Sequence, residues 1–188
     1  MTQGGKSFPN RKASKRIYTG KVISLDVDTV EFPDGSVGEL EMVRHPGASA
    51  IVPFLTDPTG EDPQILLIRQ FRYAAEGYIF EIPAGRLNPG EAPKDCAVRE
   101  LREETGCSAG KVEYLFSMLT TPGFTDEKIH VFMATDLVSG ETKHEADEFL
   151  ELQPTLLSRA LEMIEAGEIQ DAKTALGVLF AAGFRASH

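Results

Sequence analysis

The sequence predicts an α/β fold in which a sheet is sandwiched between helices and follows a small antiparallel β-sheet. Short apolar runs typical of strands, helical patterns placed between and after them, and a break at His45-Pro46-Gly47 predict this fold class. A length of 188 residues fits one domain with a small appendage. We therefore expect a basic arm at 1–16, a small antiparallel β domain at 17–47 and the main domain at 48–188.

The small β domain is predicted from alternating strands and a turn. Pro33-Asp34-Gly35 is typical of a tight turn, because Pro presets φ and Gly supplies a positive φ. The predicted strands flank that turn and occupy residues 17–19, 22–25, 27–32 and 40–43.

The main domain is predicted to contain strands buried on both faces and three helices. Continuous apolar runs at 50–55 and 65–68 favour buried strands. The further predicted strands cover residues 78–82, 111–119, 128–134 and 149–152. Helices are expected at 93–105, 156–166 and 172–182, with boundaries indicated by Pro93, Gly106, Gly167 and Asp171.

The charge balance argues against a nucleic-acid partner, and the short apolar runs argue against a membrane-spanning segment. Nineteen basic and 29 acidic residues give a net charge of −10, which repels a phosphate backbone. The first 16 residues hold five basic residues and no acid, and we expect a mobile, solvated arm without the apolar core of a signal peptide. The longest apolar run, 175–184, is short of the ~18–20 residues that span a bilayer.

The two cysteines predict a reducing compartment. If a helix covers most of the interval, Cys96 and Cys107 lie roughly 16 Å apart, well beyond the ~7 Å limit for a disulfide. We therefore expect free thiols and a soluble, cytoplasmic protein.

A cluster of carboxylates suggests a divalent cation. On a helix over 93–105, Glu100, Glu103 and Glu104 fall within an arc of roughly 100°, and Glu91 precedes them in a Gly-Pro-rich loop. A solvated acidic face is the alternative. However, like charges four residues apart destabilise a helix unless a cation lies between them. All-oxygen ligands favour Mg²⁺, Mn²⁺ or Ca²⁺.

The segment from Gly85 to Cys107 resembles the Nudix box, G-x5-E-x7-R-E-U-x-E-E-x-G-U, where U is a bulky apolar residue. Seven fixed positions match, an agreement expected by chance on the order of once in a million. The last U is a departure, because Cys107 is small. Leu101 fills the first U, and the seven fixed positions are Gly85, Glu91, Arg99, Glu100, Glu103, Glu104 and Gly106.

The resemblance implies a Nudix-type α/β/α sandwich with a mixed sheet and hydrolysis of a nucleoside diphosphate linked to another moiety. Mg²⁺ is the expected cofactor, with Mn²⁺ as a possible substitute. Glu100, Glu104 and Glu103 would bind metal, with Glu103 and Glu104 also counted as catalytic. Arg99 would orient a glutamate through a salt bridge.

Outside the box, the chain resembles the ADP-ribose pyrophosphatase branch from about residue 17 onward. Three segments carry this likeness: Arg69-Gln70-Phe71-Arg72, Glu81-Ile82-Pro83-Ala84-Gly85 and Thr121-Pro122-Gly123-Phe124-Thr125-Asp126-Glu127. The branch implies that Arg72 contacts the diphosphate and that the Ala84 carbonyl is a metal ligand. The other implied substrate-binding residues are Arg69, Glu81, Glu41 and Gly123.

The same branch implies two further features. An acidic segment at 145–148 would supply Glu148 as a metal ligand and Glu145 as the nearest candidate for the base that activates water. Residues 17–47 would form a homodimerisation domain with the nucleobase bound near the interface. Leu40 departs from the arginine that many relatives carry before the residue matching Glu41.

The favoured function is Mg²⁺-dependent hydrolysis of ADP-ribose to AMP and ribose 5-phosphate. A broader or GDP-sugar diphosphatase, of the GDP-mannose type, is the alternative within the class. A Nudix module that senses a nucleotide-sugar without cleaving it is the alternative of another class.

Overall fold

The computed structural model describes residues 8–140 and 150–186. Ten strands and three α-helices lie within these ranges. The strands are β1 (Arg11–Thr19), β2 (Ser24–Glu31), β3 (Val37–Arg44), β4 (Ala48–Pro53), β5 (Gln64–Arg72), β6 (Gly77–Glu81), β7 (Ala84–Arg86), β8 (Ser108–Leu119), β9 (Lys128–Val138) and β10 (Leu150–Leu156). The helices are α1 (Pro93–Thr105), α2 (Leu157–Glu165) and α3 (Ala172–Ala186).

Three sheets organise the described residues. β1, β2 and β3 form an antiparallel sheet in sequence order. A second sheet has the order β10-β5-β6, and a third has the order β7-β4-β9-β8. β4 and β9 are parallel while the other neighbours in the third sheet are antiparallel, so the predicted mixed sheet is confirmed.

Helices cover the main domain from two sides. One apolar cluster joins β4, β5 and β9 to α2 and α3, through residues such as Leu67, Met163 and Val178. The other cluster packs Ala97 and Leu101 of α1 against residues of β4, β5 and β9 such as Leu66. Helix, sheet and helix therefore stack in layers, as the sequence predicts.

The predicted helix over 93–105 is confirmed at both ends. Pro93 begins α1, where the missing N–H of proline costs no intrahelical bond. Gly106 ends it with φ of 72° and donates its N–H to Arg102 O at 2.9 Å. Only glycine adopts this left-handed conformation without strain. The same helix fixes the orientation of the glutamate side chains.

The boundary of the basic arm differs from the expectation, because β1 begins at Arg11 and not after residue 16. Three basic side chains of this segment face acids on β2. Arg16 pairs with Asp26, Lys12 with Glu31, and Arg11 lies 4.0 Å from Asp28. Cross-strand charge pairs of opposite sign stabilise antiparallel pairing, so these basic residues belong to the sheet.

β10 continues beyond the predicted end at 152. Pro154 lies inside it, in register with Leu66 of β5. Proline cannot donate a ladder hydrogen bond, but β10 is an edge strand, where that loss is tolerated.

Both cysteines are free, as expected, and both are buried. Burial raises the pKa of the Cys96 thiol to about 12, so that thiol stays protonated. No helix in the described residues is long and apolar enough to cross a membrane.

Candidate active site

Two carboxylates on α1 lie buried against the start of β7. Glu100 and Glu104 are 7% and 2% exposed, and they lie one helical turn apart. Glu104 Oε2 accepts the Ala84 N–H at 3.1 Å, which fixes this carboxylate against the backbone of β7. Glu103 projects further outward, with a side chain that is 43% exposed.

Gly85 is required by the close approach of α1 to β7. A Cβ at this position would lie 1.9 Å from Glu100 Oε1 and 2.1 Å from its Cδ. The absence of a side chain therefore creates the space that the Glu100 carboxylate occupies.

Arg99 connects the glutamates to one another. Its Nε and Nη2 donate to Glu91 at 2.8 and 3.0 Å, and its Nη1 donates to Glu100 at 2.6 Å and to Glu103 at 2.9 Å. Nη2 also donates to the Arg86 carbonyl oxygen at 3.0 Å. One guanidinium thus orients three carboxylates, an arrangement matching the salt bridge that the resemblance implied.

The donor set suits a hard divalent cation. Among residues 8–140 and 150–186, no three acidic, histidine or cysteine side chains already form a metal-binding group. Glu100 and Glu104 nevertheless supply buried carboxylate oxygens beside the backbone of Ala84 and Gly85. Mg²⁺ and Mn²⁺ prefer oxygen ligands and often keep several waters, so a few protein oxygens fit the role.

The pairing of Glu91 with Arg99 predicts acid sensitivity. The hydrogen bond from Arg99 lowers the pKa of Glu91 from 4.5 to about 2. Because the pKa is depressed in the folded state, the stabilisation is complete above pH 4.5 and is lost as the pH falls towards 2. We expect Glu91→Gln to lower the free energy of unfolding at pH 7 by about 2 kcal/mol and to flatten its fall below pH 4.5.

Urea unfolding at several pH values measures this effect. Glu162→Gln is the matched control, because Glu162 pairs with Arg159 while its side chain is 67% exposed. An equally steep acid dependence in Glu91→Gln and the wild type would contradict the prediction.

Arg72 lies at the end of β5 and is bound to a buried acid. Its Nε and Nη2 donate to the two oxygens of Glu81 at 2.7 and 2.8 Å. This hydrogen bonding raises the pKa of Arg72, as does the negative charge of Glu104 nearby. The Arg72 side chain is 42% exposed, whereas Glu81 is 2% exposed. Arg72 can therefore meet an anion, and Glu81 holds it in place.

Arg69 lies on the opposite side of β5 from Arg72. The two residues are three positions apart in a regular strand, and side chains alternate between the faces. Arg69 donates to Glu151 at 3.3 Å and stacks over Tyr78 at 4.6 Å. The structure does not bring this predicted residue to the carboxylates.

Gly123 lies in a loop that is attached to the N-terminal sheet. Val43 donates its N–H to Phe124 O at 2.7 Å, and Asp126 donates its N–H to Val43 O at 3.2 Å. Asp126 also accepts the His45 N–H at 2.9 Å. The loop between β8 and β9 thus depends on β3 for its position. Glu41, another predicted residue, is exposed on that strand.

Glu145 and Glu148 lie outside the described residues. The sequence analysis also missed a residue, because Lys173 of α3 contacts Glu81 at 2.6 Å. Ninety-two positions separate Lys173 from Glu81, so neither helical nor strand spacing could reveal the pair.

Comparison with known proteins assigns the family. The NUDIX domain model matches residues 45–174. The chain is 44% identical over 170 residues to an ADP-ribose pyrophosphatase of Bacillus subtilis, covering 89% of each chain. It is 40% identical over 179 residues to a methanol dehydrogenase activator of Bacillus methanolicus, covering 94% of each.

A solved structure has the same fold. It is described as an ADP compounds hydrolase and superposes with a TM-score of 0.79 at 20% identity, covering 97% of this chain and 98% of its own. The box residues, the buried carboxylates on α1 and these similarities agree, and the chain belongs to the Nudix family.

Proposed function

We propose that this protein hydrolyses the diphosphate bond of a nucleoside diphosphate sugar, with ADP-ribose as substrate and AMP and ribose 5-phosphate as products. The observation that carries the proposal is the pair of buried carboxylates, Glu100 and Glu104, together with Arg72, whose pKa is raised in part by the charge of Glu104. This arrangement combines a cation site with a guanidinium for the diphosphate. The B. subtilis relative, an ADP-ribose pyrophosphatase, supports the choice of substrate.

The residues that would hold Mg²⁺ are Glu100, Glu104, the Ala84 carbonyl oxygen and, further out, Glu103, with Glu148 as a further ligand. Mn²⁺ is a possible substitute. Once bound, the metal would neutralise the diphosphate and lower the pKa of a bound water. Arg99 would hold the glutamates in place, and Glu145 or Glu148 would serve as the base.

The substrate site would extend from Arg72 towards the N-terminal sheet. Arg72 would bind the diphosphate while Glu81 keeps its guanidinium oriented. Glu41 and Gly123 would contact the rest of the nucleotide, because the loop carrying Gly123 is hydrogen-bonded to β3, the strand of Glu41. Arg69 has the weakest support, since it lies on the other face of β5.

The N-terminal sheet is also the proposed homodimer interface. Its strands expose large apolar side chains, with Ile17 50%, Tyr18 58% and Val37 60% exposed. These side chains lie at both ends of the sheet, and contact with a second copy would remove their apolar surface from water. Light scattering on the purified protein measures the mass, and a monomer at micromolar concentration would reject this part of the proposal.

A cytoplasmic location is part of the same proposal. Two free, buried thiols fit a reducing compartment. Cell fractionation tests it, and recovery of the protein outside the cytoplasm would contradict it.

Turnover across a substrate panel tests the function. The panel contains ADP-ribose, GDP-mannose, UDP-glucose, diadenosine polyphosphates and nucleoside triphosphates, each with Mg²⁺. We expect kcat/KM for ADP-ribose to exceed the others by at least tenfold, a difference of about 1.4 kcal/mol in transition-state binding.

Two other outcomes would redirect the proposal. A higher kcat/KM for GDP-mannose than for ADP-ribose would support diphosphate hydrolysis but replace adenine with guanine as the preferred nucleobase. A relative gives this alternative support, because a GDP-mannose pyrophosphatase of Salmonella typhimurium is 39% identical over 124 residues, covering 60% of this chain. Tight binding of a nucleotide-sugar without turnover would instead indicate a sensing module.

A further inference from the structure

The first turn of α3 is attached to the end of β6. Asp171 Oδ2 accepts the Thr174 N–H at 2.9 Å, which caps the helix. Thr174 Oγ1 in turn accepts the N–H of Ile82, the residue after Glu81, at 2.9 Å. Helix and strand are thus joined by direct hydrogen bonds, and Lys173 is placed beside Glu81.

Lys173 differs from Arg72 in its access to solvent. Its Nζ lies 2.6 Å from Glu81 Oε2 and 2.9 Å from Asp171 Oδ2, and its side chain is 11% exposed. The Arg72 side chain is 42% exposed. Of the two cations on Glu81, Arg72 is therefore the one that a ligand can reach.

Glu81 needs both cations, Arg72 and Lys173, to stay ionised and to hold the guanidinium of Arg72 in place. Burial by itself raises the pKa of Glu81. Hydrogen bonding by Arg72 and the charge of Lys173 outweigh this effect, so the net pKa is lowered and the carboxylate stays ionised. An unpaired buried charge would be costly. When Arg72 binds an anion, it shares its charge with that ligand, and Lys173 remains to neutralise Glu81.

We propose that Lys173 positions Arg72 for the diphosphate of the substrate, acting through the buried carboxylate of Glu81. This rests on the proposed function, since it takes Arg72 as the residue that meets the diphosphate. Lys173 is a positioning residue and does not touch the substrate.

Steady-state kinetics of Lys173→Met with ADP-ribose and Mg²⁺ tests the proposal. Methionine keeps the unbranched apolar stem and removes the charge. We expect KM to rise about tenfold while kcat per folded molecule changes less than threefold, because ground-state binding of the diphosphate is weakened. Lys173→Arg is expected to restore KM to within about threefold of the wild type.

Two controls separate positioning from simple loss of stability. Lys111→Met removes a lysine from an exposed ion pair with Glu113 and should leave KM unchanged. Arg72→Met should raise KM, and adding Lys173→Met to it should raise KM no further, since both changes act through Arg72. A structural role alone would lower Tm and the folded fraction without changing KM.

The outcomes that overturn the proposal are distinct from failure of the proposed function. An unchanged KM in folded Lys173→Met, with Arg72→Met impaired, rejects the positioning role alone. Independent, multiplicative effects of the two substitutions also reject it. An unchanged KM in Arg72→Met rejects the contact of Arg72 with the diphosphate and this inference with it. No turnover of ADP-ribose by the wild type rejects the proposed function itself.

Discussion

Glu104→Gln is expected to lower kcat with Mg²⁺ by at least about 10²-fold, comparable with the loss of a major electrostatic element of catalysis. Glutamine retains an oxygen that can accept the Ala84 N–H, so the contact between α1 and β7 survives. The negative charge that would hold the cation is removed. Because Glu104 is 2% exposed, no neighbouring solvent compensates for that loss.

The measurement is kcat as a function of Mg²⁺ concentration, accompanied by thermal unfolding. Glu113→Gln is the matched control, because Glu113 lies in the middle of β8 and pairs with Lys111 rather than with a residue of α1 or β7. The control should retain wild-type turnover. A folded Glu104→Gln protein with near wild-type kcat in Mg²⁺ would show that Glu104 is not needed to hold the catalytic cation.

Gly85→Ala is expected to lower kcat/KM by about 10²-fold with a much smaller effect on folding. The new Cβ would lie 1.9 Å from Glu100 Oε1, so the carboxylate must retreat by about 1 Å or more. Its bond to Arg99, 2.6 Å in the wild type, would be disturbed with it. Misplacing a catalytic group by about 1 Å can cost 10²-fold in rate.

Gly183→Ala provides the control for this substitution. Gly183 lies in α3, and an added Cβ there would meet no atom of the described part of the chain within 4 Å. The control should therefore keep full activity. Direct Mn²⁺ binding, measured by electron paramagnetic resonance, should be weakened in Gly85→Ala only. Unchanged activity and unchanged Mn²⁺ binding in Gly85→Ala would show that Glu100 does not serve the metal site.

The N-terminal sheet is joined by ion pairs to the loop between β8 and β9. Arg44, at the end of β3, donates to Asp26 at 3.0 Å and also pairs with Asp28 of the same sheet. It lies 3.6 Å from Asp126 in the loop between β8 and β9. This ion network couples the small sheet to the loop that carries Gly123. The two parts therefore hold each other in position.

Local features of the sequence were sufficient for the box helix. Pro93 and Gly106 mark its ends because each acts through its own backbone, independently of distant residues. The arc of glutamates follows directly from the helical period. The salt bridge of Arg99 to a glutamate was implied only by the family resemblance, and in the structure one of its partners is Glu103, four residues further along α1.

Features that depend on pairing partners were predicted less well. The predicted start of β1 is too late because a run of basic residues is typical of a solvated segment. The structure pairs these residues with Asp26 and Glu31 on the neighbouring strand. The end of β10 was placed too early, since the position of a proline on an edge strand is a property of the whole sheet. In both cases, the neighbouring strand decides where the strand ends.

The sequence by itself determined the family, the fold class and the spacing of the carboxylates on α1, because these depend on short-range patterns. Only the tertiary structure decided which cations serve Glu81, which face of β5 Arg69 occupies, and why position 85 must be glycine. The Lys173 contact joins residues 92 positions apart, and the Gly85 contact joins β7 to α1. Such contacts arise when separate elements pack together, and no local period of the chain encodes them.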